Sequence, residues 1–229
     1  HRSLLIDSGD SMFVYLLTAP LLVVPICISF ARTSAGRAEI VPPWFTGLGA
    51  GVLLVLIETA VRLPMELTYT SSLLFLQLAA AETTVPIALA VALFFALSRD
   101  YRSADPPELE LGLASFLSGA FTTRAIYHAL YIADSASVYW SFLSPTIMVS
   151  AIFLVPSLVA LVRSSERWRF IGFVAALIVL LFAYTAVPLL HSLRFQGLAV
   201  LVAAAFGVGG VAAWVLRPVL SRADVGRAP

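Results

Sequence analysis

The sequence predicts an all-α membrane protein, a single bundle of seven transmembrane helices. Hydrophobic residues make up 60% of the 229 residues and charged residues only 12%, a composition typical of chains that reside in a lipid bilayer. Seven apolar stretches are each long enough to cross a hydrocarbon core about 30 Å thick, which needs roughly 20 helical residues. Because no connection between them could hold a soluble domain, we expect residues 1–229 to form one transmembrane domain.

The seven stretches are separated by short connections with charged or turn-forming residues. The first is longer than the apolar core of a signal peptide, and Asp7 and Asp10 before it are unlike a basic signal-peptide start, so we expect a retained helix. Asp105-Pro106-Pro107-Glu108 precedes the fourth stretch and is typical of a helix cap and first turn. The stretches cover residues 12–31, 44–63, 71–97, 111–132, 139–162, 170–190 and 195–216.

Positive charge is divided unevenly between the two sides of the predicted bundle. The chain has fourteen arginines and no lysine, and ten of the arginines follow the first, third, fifth or seventh stretch. Arg2, Arg62 and Arg194 lie at the opposite ends of the stretches. Basic connections mark the cytoplasmic face of a membrane protein. The sequence therefore predicts an N-terminus outside, a C-terminus in the cytoplasm and a location in the plasma membrane.

The chain also resembles itself across the fourth stretch. Val24-Pro25, six residues and then Arg32-Thr33-Ser34 recur as Val155-Pro156, six residues and then Arg163-Ser164-Ser165. These matches predict a parallel repeat of three helices, residues 12–97 and 139–216, joined by the linker helix 111–132. Carriers built from such repeats bind their substrate near the midplane, between the repeats. The second and third stretches match the sixth and seventh at residues 53–61 with 179–187 and 78–81 with 202–205.

This 3+1+3 arrangement, with a proline low in the first and fifth helices and Arg and Ser after it, resembles the PQ-loop and SWEET-type solute carriers. The resemblance implies a carrier fold with alternating access. The glutamine that follows the proline in that family is replaced here by Ile26 and Ser157. Its sugar carriers also use paired asparagines in the third and seventh helices, and this chain contains no asparagine. The resemblance therefore extends to the fold and not to a sugar substrate.

Two pairs of ionisable residues lie inside the apolar stretches. Such groups are costly in hydrocarbon, so they are normally paired or face a cavity, and they are functional candidates. Glu58 and Arg62 are four residues apart on one face of the second helix, and Arg124 and His128 are four apart on one face of the fourth. The alternative for Glu58 and Arg62 is a structural pair that satisfies itself near the interface.

Glu82 lies about eleven residues into the third stretch, close to the predicted midplane. Pro86 has no N–H, so the carbonyl of Glu82 loses its helical partner and we expect a kink there. A carboxylate beside a freed carbonyl can coordinate a cation or hold a proton. The alternative is a structural ion pair of Glu82 with Arg124 or Arg62.

These observations predict a carrier for a small solute or ion, with a polar cavity in the outer half of the bundle. Rocking of one repeat against the other would give alternating access. Glu82 would be the ion or proton site, and Arg124 would pair with an anionic substrate or with Glu82. Glu58 and Arg62 would form a gate. The outer wall of the cavity would consist of Tyr127, His128 and Tyr131.

Two other functions stay open. A seven-helix receptor could bind a ligand in the same cavity and signal through a separate partner. An intramembrane metal-dependent hydrolase could use His128 and His191 with Glu82, because Glu58-x3-Arg62 is half of the EExxxR element of CAAX-type proteases. Ile57 stands where that element has its first glutamate. We therefore assign no catalytic or metal-binding residue.

Composition limits the partners. A net charge of +1 gives no reason to expect nucleic acid. The lack of lysine excludes covalently bound retinal, and the single Cys27 excludes a cysteine-cluster metal site. We expect the bilayer and a small ligand as partners, and we expect no cofactor. Small residues on the seventh helix predict two close-packing faces, one inside the bundle and one for a second copy of the chain. One face consists of Ala199, Ala203 and Gly207, and the other of Ala205, Gly209 and Ala213.

Overall fold

The computed structural model describes residues 41–66, 73–131, 142–165 and 167–225. These residues form α-helices and short connections, with no β-strand among them, so the predicted all-α class is confirmed. The first predicted stretch, residues 12–31, lies outside the described residues. Its match with the fifth stretch therefore stays a prediction.

The described residues contain eight α-helices and one short 3-10 helix, Arg99–Arg102. The α-helices are α1 (Val41–Glu66), α2 (Leu74–Ala81), α3 (Thr84–Leu97), α4 (Pro106–Tyr131), α5 (Ser144–Ser164), α6 (Arg167–Tyr184), α7 (Ala186–Ser192) and α8 (Gln196–Val225). Five segments of these residues are long and apolar enough to cross a bilayer, which identifies a membrane protein. They are Val41–Ala60, Leu74–Leu97, Ser144–Arg163, Arg169–Ser192 and Gln196–Trp214.

Helix α4 is the most enclosed of the described helices, and it is not among these five segments. It packs chiefly against α1 and α5, and α5 packs in turn against α8. Residues 109–125 of α4 are almost all buried. A helix surrounded by other helices does not need an apolar surface on every side, so it can carry charges and hydroxyls that lipid would exclude. The cap predicted before this helix is confirmed, because α4 begins at Pro106 with Glu108 in its first turn.

Glycines bring α1 and α4 into close contact. Gly47 and Gly51 are four residues apart on α1, the spacing of small residues that lets two membrane helices approach closely. A Cβ atom at Gly47 would collide with the backbone carbonyl of Phe116, and one at Gly119 would collide with that of Trp44. The α1–α4 contact therefore depends on backbone packed directly against backbone.

Helix α8 uses one of its two predicted small faces inside the bundle. Ala199 and Ala203 are completely buried. A Cβ atom at Gly207 would lie 2.9 Å from Cγ2 of Thr146 on α5. That face is confirmed as a packing surface, whereas the opposite face is exposed in the described structure and consists of Ala205, Gly209 and Ala213.

Two of the membrane-crossing segments are broken helices. The segment formed by α2 and α3 is interrupted at Glu82 and Thr83, and the segment formed by α6 and α7 is interrupted at Thr185. Pro86 and Pro188 follow the two breaks and cannot donate to the carbonyls four residues earlier. The kink predicted at Glu82 is confirmed as a complete break. The breaks lie in the third and sixth predicted stretches, although the predicted repeat pairs the third stretch with the seventh.

Several helix ends meet at one end of the bundle, which we call the basic end because arginine-rich connections lie there. A cavity of about 380 Å³ is lined by the start of α1, the end of α3 and the start of α4, including Pro42, Leu97 and Glu108. Arg163, near the end of α5, donates to the carbonyl of Tyr101 at 3.0 Å. The start of α1, the connection between α3 and α4 and the end of α5 thus lie on the same side of the bundle.

Candidate functional site

A buried ion pair joins α1 to α4. Arg124 donates from Nε to Oε2 of Glu58 at 2.7 Å and from Nη2 to Oε1 at 3.0 Å. Arg124 is 2% exposed and Glu58 is 5% exposed, so each charge is removed from solvent and relies on the two-bonded pairing. Sequence reasoning placed Glu58 beside Arg62, but the side chain of Arg62 lies outside what the structure describes. The pairing of Glu58 with Arg124 could be found only from the packing of α1 on α4.

Arg124 also contacts the break between α2 and α3. Its Nη2 donates to the carbonyl of Glu82 at 3.2 Å and, at a longer 3.5 Å, to that of Ala81. Oε2 of the Glu82 side chain lies 3.6 Å from the same nitrogen. The carbonyl that Pro86 deprives of a helical donor is therefore satisfied by a guanidinium. Arg124 therefore contacts the side chain of Glu58 on α1 and both the backbone and the side chain of Glu82 at the helix break.

His128 completes this group one turn further along α4. Its Nε2 lies 3.0 Å from Oε1 of Glu58, the oxygen that also accepts from Arg124. His128 is buried, with 3% exposure. The predicted common face of Arg124 and His128 is thus observed, and both side chains use it to reach Glu58.

The predicted aromatic wall is only partly described. The hydroxyl oxygen of Tyr127 lies 3.3 Å from Oγ1 of Thr59 on α1, and its ring centroid is 5.9 Å from that of His128. The side chain of Tyr131 lies outside the described residues. His191 lies near the end of α7. Tyr127 therefore closes one side of the site between α1 and α4.

We call Glu58, Glu82, Arg124 and His128 the arginine cluster. Two carboxylates face one guanidinium, so these four side chains carry a net charge of −1 when His128 is neutral and the carboxylates are ionised. Arg124 is eighteen residues beyond the start of α4, which places the cluster about 27 Å from the basic end. A buried negative charge of this kind is normally balanced by a proton or a bound cation.

A group of threonine hydroxyls lies next to the cluster, where the two helix breaks meet. Oγ1 of Thr83 is 2.7 Å from Oγ1 of Thr185, and Oγ1 of Thr84 is 3.2 Å from it. Thr84 also donates to the carbonyl of Leu181 at 2.9 Å. Thr83 and Thr185 are almost completely buried. We call this group the threonine crossing. Sequence reasoning missed it, although hydroxyls two or three residues before a proline in two apolar stretches were a visible signal.

Glu110 is a second buried carboxylate that the sequence did not single out. It was assigned to the connection before the fourth stretch, but it lies inside α4 and is 1% exposed. Ser157 of α5 donates to its Oε1 at 2.6 Å. A polar group therefore also lies inside the bundle near the basic end. Glu110 is eighteen residues, or five helical turns, before His128 and so shares its face of α4, a spacing that could have identified it.

Among the residues that the structure describes, no three histidine, cysteine or acidic side chains are grouped to hold a metal ion. The centre of the arginine cluster is instead filled by the guanidinium of Arg124, to which both carboxylates turn. Comparison with protein families, with curated proteins and with solved structures gives no match for this chain. Any function must therefore be argued from the site.

Proposed function

We propose that this protein is a carrier that moves a small solute or ion across the plasma membrane by alternating access, and that the arginine cluster takes up the positive charge that drives or accompanies transport. The observation that carries this proposal is the position of the cluster. Buried Arg124 joins the buried carboxylate of Glu58 to half-buried Glu82 at the break of a membrane-spanning helix. Discontinuous helices in carriers surround the sites of substrates and coupling ions.

Charge balance supports a transport role over a purely structural one. A fastener between helices needs one acid and one base, and Glu58 with Arg124 already provides that pair. Glu82 adds a second carboxylate to the same guanidinium at a distance of 3.6 Å. A proton or a cation that arrives at or leaves these side chains would change how tightly Arg124 holds the broken helix.

The proposed orientation has seven crossings, with the N-terminus outside and the C-terminus in the cytoplasm. The basic end would face the cytoplasm and the arginine cluster would lie toward the outside. The parallel three-helix repeat belongs to this proposal, as do a cavity reached from the outside, the gate of Glu58 and Arg62, and the outer wall of Tyr127, His128 and Tyr131.

Uptake into proteoliposomes tests the proposal. The purified full chain would be reconstituted with an internal pH dye and given radiolabelled amino acids, sugars, organic cations and organic anions in turn. We expect uptake of one class, reduced at least tenfold by Glu82→Gln. Glu108→Gln serves as the matched control, because Glu108 is an exposed acid at the other end of the bundle, and it should leave uptake unchanged.

Two results would overturn the carrier proposal. Saturable binding of one of these solutes without any uptake would support a receptor instead. Equal uptake by the wild-type protein and Glu82→Gln would remove the arginine cluster from the transport mechanism.

A further inference from the structure

The hydroxyls of the threonine crossing form a hydrogen-bond chain with a fixed direction. Each threonine hydroxyl has one hydrogen to donate and two lone pairs to accept with. Thr84 donates its hydrogen to the carbonyl of Leu181, so in the contact with Thr185 it must accept. Thr185 then has no hydrogen left for Thr83, and Thr83 must donate to Thr185. The chain therefore runs from Thr83 through Thr185 and Thr84 to the Leu181 carbonyl.

This direction leaves oxygen lone pairs turned into the crossing. Within the described residues, Thr83 Oγ1 accepts no hydrogen bond, so both of its lone pairs are available, and Thr185 and Thr84 each retain one. Pro188 removes the helical donor of the Tyr184 carbonyl, which lies beside Thr185 in the chain. Four lone pairs on the three hydroxyl oxygens can therefore accept, and none of these hydroxyls has a hydrogen left to donate.

We propose that the threonine crossing binds a sodium ion through the hydroxyl oxygens of Thr83, Thr84 and Thr185. This proposal rests on the proposed carrier function and names its coupling ion. Buried oxygens that can only accept are suited to a hard cation. The carboxylates of the neighbouring arginine cluster, which is joined to Thr83 through the peptide group of Glu82, place negative charge near the site.

The composition of the crossing favours an alkali ion over a divalent one. Sites for Ca²⁺ and Mg²⁺ are usually built with carboxylates in direct contact with the metal, whereas the oxygens here are neutral. The hydroxyl oxygens are 2.7 and 3.2 Å apart along the chain, so a small separation of the two broken helices would admit sodium, and potassium would require a larger one. Sodium binding would therefore act on both broken helices, α2–α3 and α6–α7, at the same time.

Thermal unfolding of the purified full chain in detergent tests this site without knowledge of the transported solute. The midpoint would be compared in sodium, potassium and choline chloride at equal concentrations. At about ten times the dissociation constant we expect sodium to raise Tm by about 3–6 °C over choline, and potassium to have a smaller effect. Thr185→Val and Thr83→Val should weaken sodium binding at least tenfold, and Thr185→Ser should restore it.

Thr123→Val is the matched control, because Thr123 also makes a hydroxyl bond between helices, to the carbonyl of Leu48 at 3.0 Å, but lies outside the crossing. It should keep the full sodium response. Equal midpoints in sodium and choline, or an unchanged response in both valine variants, would overturn the sodium site. If sodium binding is absent while Glu82-dependent uptake persists, this inference fails and the carrier stands. If sodium binds without uptake of any solute, the site stands and the carrier fails.

Discussion

The α1–α4 contact and the threonine crossing are neighbours, yet they are built from opposite kinds of interaction. The α1–α4 contact joins two continuous helices through backbone packed against Gly47 and Gly119 and through a buried ion pair. The threonine crossing joins two broken helices through neutral hydroxyls, with Thr83 and Thr185 at its centre.

The difference separates a rigid part of the molecule from a part that can move at low cost. Close packing and buried charges resist displacement, because any shift leaves a void or an unpaired charge. A hydroxyl bond contributes only about 0.5–1.5 kcal/mol net. Arg124 contacts both regions, since it binds Glu58 on the rigid side and the carbonyl of Glu82 on the other. A change of charge at the cluster therefore acts on the part that is easiest to move.

The largest expected effect tests the rigid side. Arg124→Leu leaves the buried carboxylate of Glu58 and the half-buried carboxylate of Glu82 close together without the arginine, and we expect a loss of about 3–5 kcal/mol in the free energy of unfolding. Denaturant unfolding in detergent micelles measures it. The double variant Glu58→Leu, Arg124→Leu should recover part of the loss, because it removes one of the two unpaired charges. A double variant less stable than Arg124→Leu would contradict this account.

A smaller effect is expected when Gly119 is compared with Gly209, since both lie within helices but only Gly119 is closely packed. Gly119→Leu would force α1 and α4 apart, with an expected loss of about 1–3 kcal/mol, because its Cβ meets the backbone of Trp44. Gly209→Leu on α8 has no atom of the described residues within 4 Å of its Cβ, so it should not destabilise the protein. The same unfolding experiment measures both. If both variants lose stability equally, close glycine packing is not what distinguishes the α1–α4 contact.

The smallest expected effect on stability best distinguishes the α1–α4 contact from the threonine crossing. Thr123→Val and Thr185→Val each remove one hydroxyl from a contact between helices, and each should cost about 1 kcal/mol. Their effects on transport should differ, because Thr185 links two helices proposed to move and Thr123 links two proposed to stay together. Proteoliposome uptake measured beside stability makes the distinction. Similar uptake in the two variants would remove the division into rigid and mobile parts.

The sequence predicted the all-α class and the apolar helices that the structure describes, because their cause is local. A long apolar stretch must form a helix in hydrocarbon, where every backbone group has to be satisfied within the segment. Pro86 likewise announced the break at Glu82, since a missing N–H acts within one turn. The partner of Glu58 was not predictable in this way. Arg62 is the arginine nearest to Glu58 along the chain. Contact of Glu58 with Arg124, which is 66 residues away, depends on how α1 packs on α4.

Glu110 and the threonine crossing show the same limit. Glu110 comes shortly after the four charged or turn-forming residues Asp105-Pro106-Pro107-Glu108, so its local surroundings are those of a connection. Only the early start of α4 and its contact with α5 bury it. Thr83 and Thr185 are 102 residues apart, and although a proline follows each of them, nothing local indicates that the two hydroxyls meet.

The sequence by itself determined that this protein resides in a membrane, that one helix is interrupted at Glu82 and which residues are too polar for lipid, because these properties follow from hydrophobicity and from the backbone of single segments. Only the tertiary structure decided which polar groups share a site. Charges and hydroxyls buried in a bilayer must find partners on other helices, and the choice among those partners is made by packing.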